Sequence, residues 1–334
     1  MRPQTLRELC NKYSIAVPSI PCYDDENNPK PRSEISPFTD FSAFVDIYVA
    51  ACSCLRTKED IYRLVLEVAA DLKQCGVIYA EIAPSFTFYS QYFGSMENTL
   101  MVLVEAASMA EKETGVLLNY VVSVERQLGV DEAIKLAHLA RKGADMMING
   151  RQAVVGFGLH GPEESNPPEP FRDAFQIACK HGKLASLPHA GEIAPSPCMG
   201  AKSVLDAALL LNAKRIAHGI LAKDDETVIQ VLKERNIVLD IGVTSNYLLN
   251  VVDSPEKHPI QDFLKLGIPC TINSDDPLLF GCSILSEFQL CRDVLQMDDT
   301  TIAQCAKTSF QYSCATEDVK TKGINGIDGW LCNQ

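Results

Sequence analysis

Lys183-Leu184-Ala185-Ser186-Leu187-Pro188-His189-Ala190-Gly191-Glu192 runs from a short apolar segment into a histidine, two small residues and an acid. Two later stretches repeat the form. Arg215-Ile216-Ala217 leads into His218-Gly219, and Cys270-Thr271-Ile272-Asn273 leads into Ser274-Asp275-Asp276-Pro277. If the apolar segments are parallel strands, their polar sequels gather at one rim of a sheet or barrel. A histidine, an acid, a second histidine and paired aspartates at one rim point to metal-assisted hydrolysis.

The same alternation extends outward over most of the chain. Strand-like segments fall at 77–82, 116–122, 153–158, 184–188, 214–217, 237–241 and 268–273. The helical stretches between them often end at glycine, as at Gly115, Gly143, Gly182 and Gly267. This rhythm predicts parallel strands joined by right-handed crossovers. No linker or composition break divides the chain, so residues 1–334 read as one (β/α)8 TIM-barrel domain. Seven strands can be counted where such a barrel has eight, and the first βα unit lacks its strand. Ahead of the first strand, helices are predicted over Pro3–Tyr13, about Phe38–Leu55 and Lys58–Cys75. Thr57 is the expected cap of the last and Gly76 its stop. Residues 15–37, with Pro18, Pro21, Asn27, Asn28, Pro29, Pro31 and Pro37, form an irregular connection long enough to act as a lid.

Composition narrows the function. With 46% hydrophobic and 22% charged residues the 334-residue chain is ordinary globular protein. A net charge of −13 argues against nucleic-acid binding, which needs clustered Lys and Arg. No apolar run spans a membrane. The thirteen cysteines include no C-x-x-C pair, and Met1-Arg2-Pro3-Gln4 opens into a helical pattern rather than a signal peptide. Reduced thiols in a cytoplasmic protein acting on a small molecule are expected.

A neutral imidazole at His189 can bind zinc through one ring nitrogen. Ala190-Gly191 lets the chain turn so that Glu192 faces the same cavity, where a carboxyl with a raised pKa can move protons. Asp275 and Asp276 are adjacent, so one can reach a metal while the other faces substrate. Asn273 and Ser274 would support them by hydrogen bonding. Each piece alone also has a structural reading. His189 to Glu192 can be a capped helix start, Asp275-Asp276-Pro277 another, and His218 a core histidine. His138, His181 and His258 read as structural, and His160, at a strand end, is left open.

Taken in order, these groups resemble the adenosine/adenine deaminase family of metal-dependent TIM-barrel hydrolases. The resemblance also covers Arg2-Pro3-Gln4-Thr5-Leu6, Tyr79-Ala80-Glu81-Ile82, Gly156-Phe157-Gly158-Leu159 and Thr244-Ser245-Asn246. It implies zinc held by His189 and Asp275. Glu192 would protonate the purine ring nitrogen beside the carbon under attack. His218 would orient the attacking water and help take its proton. Asp276 would hydrogen-bond the imidazole part of the base, and the Gly161 backbone would approach the base. The implied reaction is zinc-dependent hydrolysis of a 6-aminopurine to the 6-oxopurine and ammonia.

Two departures accompany the resemblance. The family usually begins with a strand bearing His-x-His, just before the segment matched by Met1 to Leu6, and neither histidine is present. The chain is therefore expected to be truncated at its N-terminus, and to bind zinc and deaminate poorly as it stands. In the substrate loop, Gly158-Leu159-His160-Gly161-Pro162-Glu163 departs from the adenosine branch, whereas Glu163-Glu164-Ser165-Asn166-Pro167-Pro168 resembles the adenine branch, which has Asp-Ser where this chain has His160-Gly161, so the loop is intermediate. Adenosine, adenine and a modified adenine nucleoside all remain as substrates. A non-catalytic purine-binding barrel that has lost its metal site is the alternative, and oligomeric state is not legible.

Overall fold

The computed structural model describes residues 1–24, 26 and 28–333, so Asn27 of the irregular connection lies outside it. Seven strands form one parallel sheet in sequence order: β1 Tyr79–Ile82, β2 Leu117–Glu125, β3 Val154–His160, β4 Ala185–Ala190, β5 Arg215–His218, β6 Val238–Ile241 and β7 Cys270–Ile272. The sheet curls into a half-barrel, and no ladder joins β1 to β7 among the described residues. All seven segments expected from the sequence are strands. β2 and β3 run on to Glu125 and His160, beyond the expected ends at 122 and 158. A small hairpin, Met147–Ile148 against Arg151–Gln152, was not expected.

β2 is buried along nearly its whole length, as a parallel strand covered on both faces must be. Two glycines in β3 permit close packing of its neighbours. A Cβ at Gly158 would lie 3.1 Å from the Leu187 carbonyl oxygen of β4, and closer still to Ser123 Oγ of β2. The parallel register pairs Glu125 with His160, His189 with Ala217 and Ala190 with His218. All these groups therefore end at one rim.

Helices Pro3–Tyr13 and Lys58–Gln74 match expectation, and the latter starts with a capping box between Thr57 and Asp60. The helix expected over 38–55 is shorter, Phe41–Ser53, because Asp40 caps it by accepting from Ala43 N at 2.8 Å. Phe38 is thereby freed to pack edge-on against Phe44 and Phe280. Phe44 also stacks on Phe280 at 5.2 Å, which fixes this helix beside the Asp276–Phe280 segment of the rim. No described helix is long and apolar enough to cross a membrane.

The other end of the sheet is held by charge. Arg215 on β5 binds Glu81 of β1 at 2.6 Å and Asp240 of β6 at 2.9 Å. Asp240 accepts from Thr271 of β7 at 2.7 Å. The C-terminal segment closes the cluster, with Cys314 N donating to Glu81 at 2.6 Å and the Tyr312 carbonyl accepting from Arg215 at 2.9 Å. Burial pushes the Glu81 carboxyl up, but Arg215 outweighs it and holds the group ionised.

Removing the cation leaves two buried carboxylates unpaired. Arg215→Met is expected to cost about 3–5 kcal/mol of unfolding free energy, read from urea denaturation. A loss below about 1 kcal/mol, as for an exposed pair, would show that the cluster does not hold the sheet.

Candidate active site

Four of the residues singled out from the sequence converge at the C-terminal rim. His189 and His218 have ring centroids 5.2 Å apart. His218 Nε2 lies 3.5 Å from Glu192 Oε1 and 3.8 Å from Asp275 Oδ2. One ligand atom from each of His189, His218 and Asp275 falls within 4.8 Å of the others. Asp276 is half-buried at the start of the Pro277–Phe280 turn of helix. Gly161 follows β3 directly, with φ +97°.

Local backbone strain accompanies this convergence. His218 and Asp275 both adopt left-handed conformations, at φ 66° and 52°. Such conformations cost a non-glycine residue roughly 1–3 kcal/mol and cluster at functional sites. Gly191, at φ +65°, makes the turn between His189 and Glu192. Glu163 captures that turn, accepting from Gly191 N at 2.7 Å, Glu192 N at 3.1 Å and Ile193 N at 3.3 Å. Arg126, fully buried, donates to the His189 carbonyl at 2.7 Å and to the Asn166 carbonyl at 2.8 Å. Neither role is stated by the local sequence, although Glu163 stands inside the loop that carries Gly161.

A hydrogen-bond chain fixes the tautomer of His218. The Ile260 N–H donates to His258 Nδ1 at 3.2 Å, so that nitrogen is an acceptor. Burial, then the His218 charge, lowers the His258 pKa to about 3, so its neutral ring carries the proton on Nε2. That N–H donates to Asn246 Oδ1 at 3.0 Å. The Asn246 amide must then donate through Nδ2 to His218 Nδ1, also at 3.0 Å. A neutral His218 consequently holds its proton on Nε2 and presents a donor to the cavity. It can orient an oxygen there, as the sequence reading had it, but in this neutral form Nε2 has no lone pair left to take a proton. His258, read from sequence as a structural loop histidine, is the outer member of this chain.

Electrostatics separates the remaining groups. Burial, then the charges of His218 and His160, holds His189 well below the ordinary imidazole range, so it is neutral as a ligand must be. Its Nδ1 is buried without a partner. With the nearby Asp275 carboxylate, this orphaned nitrogen makes a donor set that suits zinc. Burial lifts Glu192 to about 7, with the Asp275 and Glu163 charges adding and His218 and Arg126 opposing. Burial also pushes Asp276 well up, aided by Asp275 and Glu192.

Comparison with known proteins agrees with this arrangement. The family model described as adenosine deaminase matches residues 1–330. A Streptomyces virginiae protein provisionally described as an adenosine/adenine deaminase is 34% identical, over 99% of this chain and 93% of its own. An aminodeoxyfutalosine deaminase of Streptomyces coelicolor is 33% identical, over 99% of this chain and 82% of its own. The crystal structure of an adenine deaminase from Arthrobacter aurescens superposes with TM-score 0.85 at 27% identity, covering 99% of this chain and 95% of that one.

The depressed His258 pKa carries a pH signature. An unfolded histidine titrates near 6.5, so between about 6.5 and 3 the unfolded chain binds the extra proton. This contribution to stability is complete above pH ~6.5 and is lost as pH falls toward 3. His258→Gln should flatten the fall in Tm across that window. An unchanged slope would mean that His258 titrates normally.

Proposed function

This chain belongs to the adenosine deaminase family, and we propose that its site catalyses zinc-dependent hydrolytic deamination of a 6-aminopurine of the adenosine or adenine type. The observation that carries the reading is the convergence of a neutral His189, a donor-presenting His218, Asp275 and a carboxyl at Glu192 poised near neutrality. His189 and Asp275 would hold the metal, weakly in this chain because the His-x-His pair that would complete its ligands is not present in it. A zinc ion so held supplies a Lewis acid that lets water act as a nucleophile near neutral pH.

The chain's own residues do the rest. Glu192, half-protonated at about pH 7, gives its proton to the ring nitrogen beside the amino-bearing carbon. His218 orients the incoming water oxygen through Nε2–H. Asp276, its carboxyl pushed well up by burial and its acidic neighbours, would donate to the accepting imidazole nitrogen of the base. The Gly161 backbone, free of a side chain, approaches the base. Water adds its oxygen to the carbon; one of its two protons restores the Glu192 carboxyl, the other passes to the amino group, which leaves as ammonia, and the ring nitrogen keeps the proton that Glu192 gave. Likeness to aminodeoxyfutalosine deaminases supports a second reading, in which the substrate is a modified adenine nucleoside.

Two variants test this. Glu192→Gln should lower ammonia release from adenosine or adenine by roughly 10²–10⁴-fold while inosine still binds. Turnover near wild type would remove Glu192 from the mechanism. Asp275→Ala should abolish zinc uptake in equilibrium dialysis, whereas Asp276→Ala should retain zinc and weaken purine binding. The reverse pattern would exchange the two roles.

A further inference from the structure

The end of the sheet where the strands begin opens on a cavity of about 750 Å³. Its wall takes in Tyr79 at the start of β1, Asn119 of β2, and Lys183 and Lys214, which lead into β4 and β5. The candidate active site lies at the opposite rim and shares no residue with it. The chain has 43 acids against 30 lysines and arginines. This wall nevertheless carries three cations, Arg151, Lys183 and Lys214, and no acid among the described residues.

The three cations are not equivalent. Arg151 is engaged by Glu111 in a two-pronged pair at 2.7 and 2.8 Å. Lys183 pairs with Asp145 at 2.7 Å, but both side chains are more than half exposed, and such a pair is weak and readily exchanged. Lys214 engages no acid among the described residues. Helix Glu317–Leu331 begins at the same cavity, with Ala315, Thr316 and Val319 in the wall, and Thr316 gives it no side-chain cap. Its first amides have no intrahelical acceptor, and they form the positive end of the helix dipole. Glu317 and Asp318, in its first turn, are exposed and off the wall. Ser186, 3% exposed and also in the wall, has a hydroxyl with no hydrogen-bond partner.

We propose that this cavity is a second ligand site, and that it takes a phosphate monoester of a small organic molecule. Lysine point charges and helix amides suit a tetrahedral dianion, whereas the planar fork that would favour a carboxylate is already held by Glu111. The volume falls in the range of roughly 300–1,000 Å³ typical of small-molecule sites, and Val155, Leu184 and Val319 offer apolar wall to the organic part. Tyr79 and Cys314 in the same wall both donate to Glu81, so a bound ligand braces the Arg215 cluster. None of these groups belongs to the deaminase reading, which stands or falls separately.

Ribose 5-phosphate, glucose 6-phosphate and glycerol 3-phosphate, none of which carries a purine, serve as probes in titration calorimetry and thermal melting. Each is run beside its unphosphorylated parent and inorganic phosphate. At least one ester should bind about 10-fold or more tightly than its parent and than inorganic phosphate, and should raise the Tm. The double variant Lys183→Gln, Lys214→Gln should weaken that ester by roughly 10- to 100-fold and remove the Tm shift. Both positions are exposed, and an unchanged Tm without ligand shows that the variant is folded. Failure of every ester to bind, equal binding of the parents, or undiminished binding by the folded variant overturns the site. Inorganic phosphate bound as tightly as the esters overturns the organic ligand class. The comparison of ester with parent on unaltered protein decides the matter if the variant does not fold.

Discussion

The buried guanidinium of Arg215 is the constraint on which this fold turns. A parallel sheet whose outer strands share no ladder is prone to splay. Here the outer strands meet through charge instead, with Glu81 of β1 and Asp240 of β6 on one cation and Thr271 of β7 bound to Asp240. Buried ion pairs are weak evidence of net stability, since desolvation offsets much of their attraction. What this one supplies is geometry. A cation with five fixed donors admits few arrangements of its partners, so strands distant in sequence are held at one relative position.

That position decides what happens at the opposite rim. Strands fixed in parallel register deliver their last residues to one level, and Glu125, His160, His189 and His218 are all such residues. The strand ends do not complete the site alone. His218 and Asp275 occupy left-handed backbone, and Glu192 needs the chain to reverse just after β4. Around His189, Glu192 and His218, buried polar groups fix the arrangement. Glu163 takes the turn amides, Arg126 holds the His189 carbonyl, and Asn246 with His258 sets the His218 ring. Such supports convert a group of suitable residues into one with fixed donors and acceptors.

The sequence made the strand ends legible because their signal is local. Short apolar runs alternating with helical stretches that often end at glycine mark the strands within ten residues, and all seven are found at the expected segments. The supports were not legible because their partners are distant. Glu163 acts on Gly191, and Glu81 on Arg215 far along the chain, and no periodicity links such positions. His258, in a loop before Pro259, gave no sign that it would reach Asn246. The hairpin at 147–152 was a different kind of miss. Asn149-Gly150, at φ 45° and 88°, is the dipeptide that a tight hairpin turn demands, and the cue was present but passed over.

Charge then distinguishes residues that chemistry alone leaves equivalent. Glu192, Asp275 and Asp276 are three carboxyls at one rim, the first buried, the second exposed and the third half-buried, and the Arg126 guanidinium lies close enough to Glu192 to oppose its neutral form. Carboxylates this close cannot all ionise, so protons remain on the groups where burial weighs most. Those are Glu192 and Asp276, while His218 brings its Nε2–H toward Glu192 and Asp275. A purine presents acceptors at both edges of its ring system. In the proposed reaction, a carboxyl at Glu192 poised near 7, an Asp276 carboxyl pushed well up and a histidine that turns its N–H inward would face those acceptors. Had Glu192 and Asp276 been exposed on the rim, they would be anions and would repel those edges. The burial that costs this site stability is the property that lets its acids act as donors.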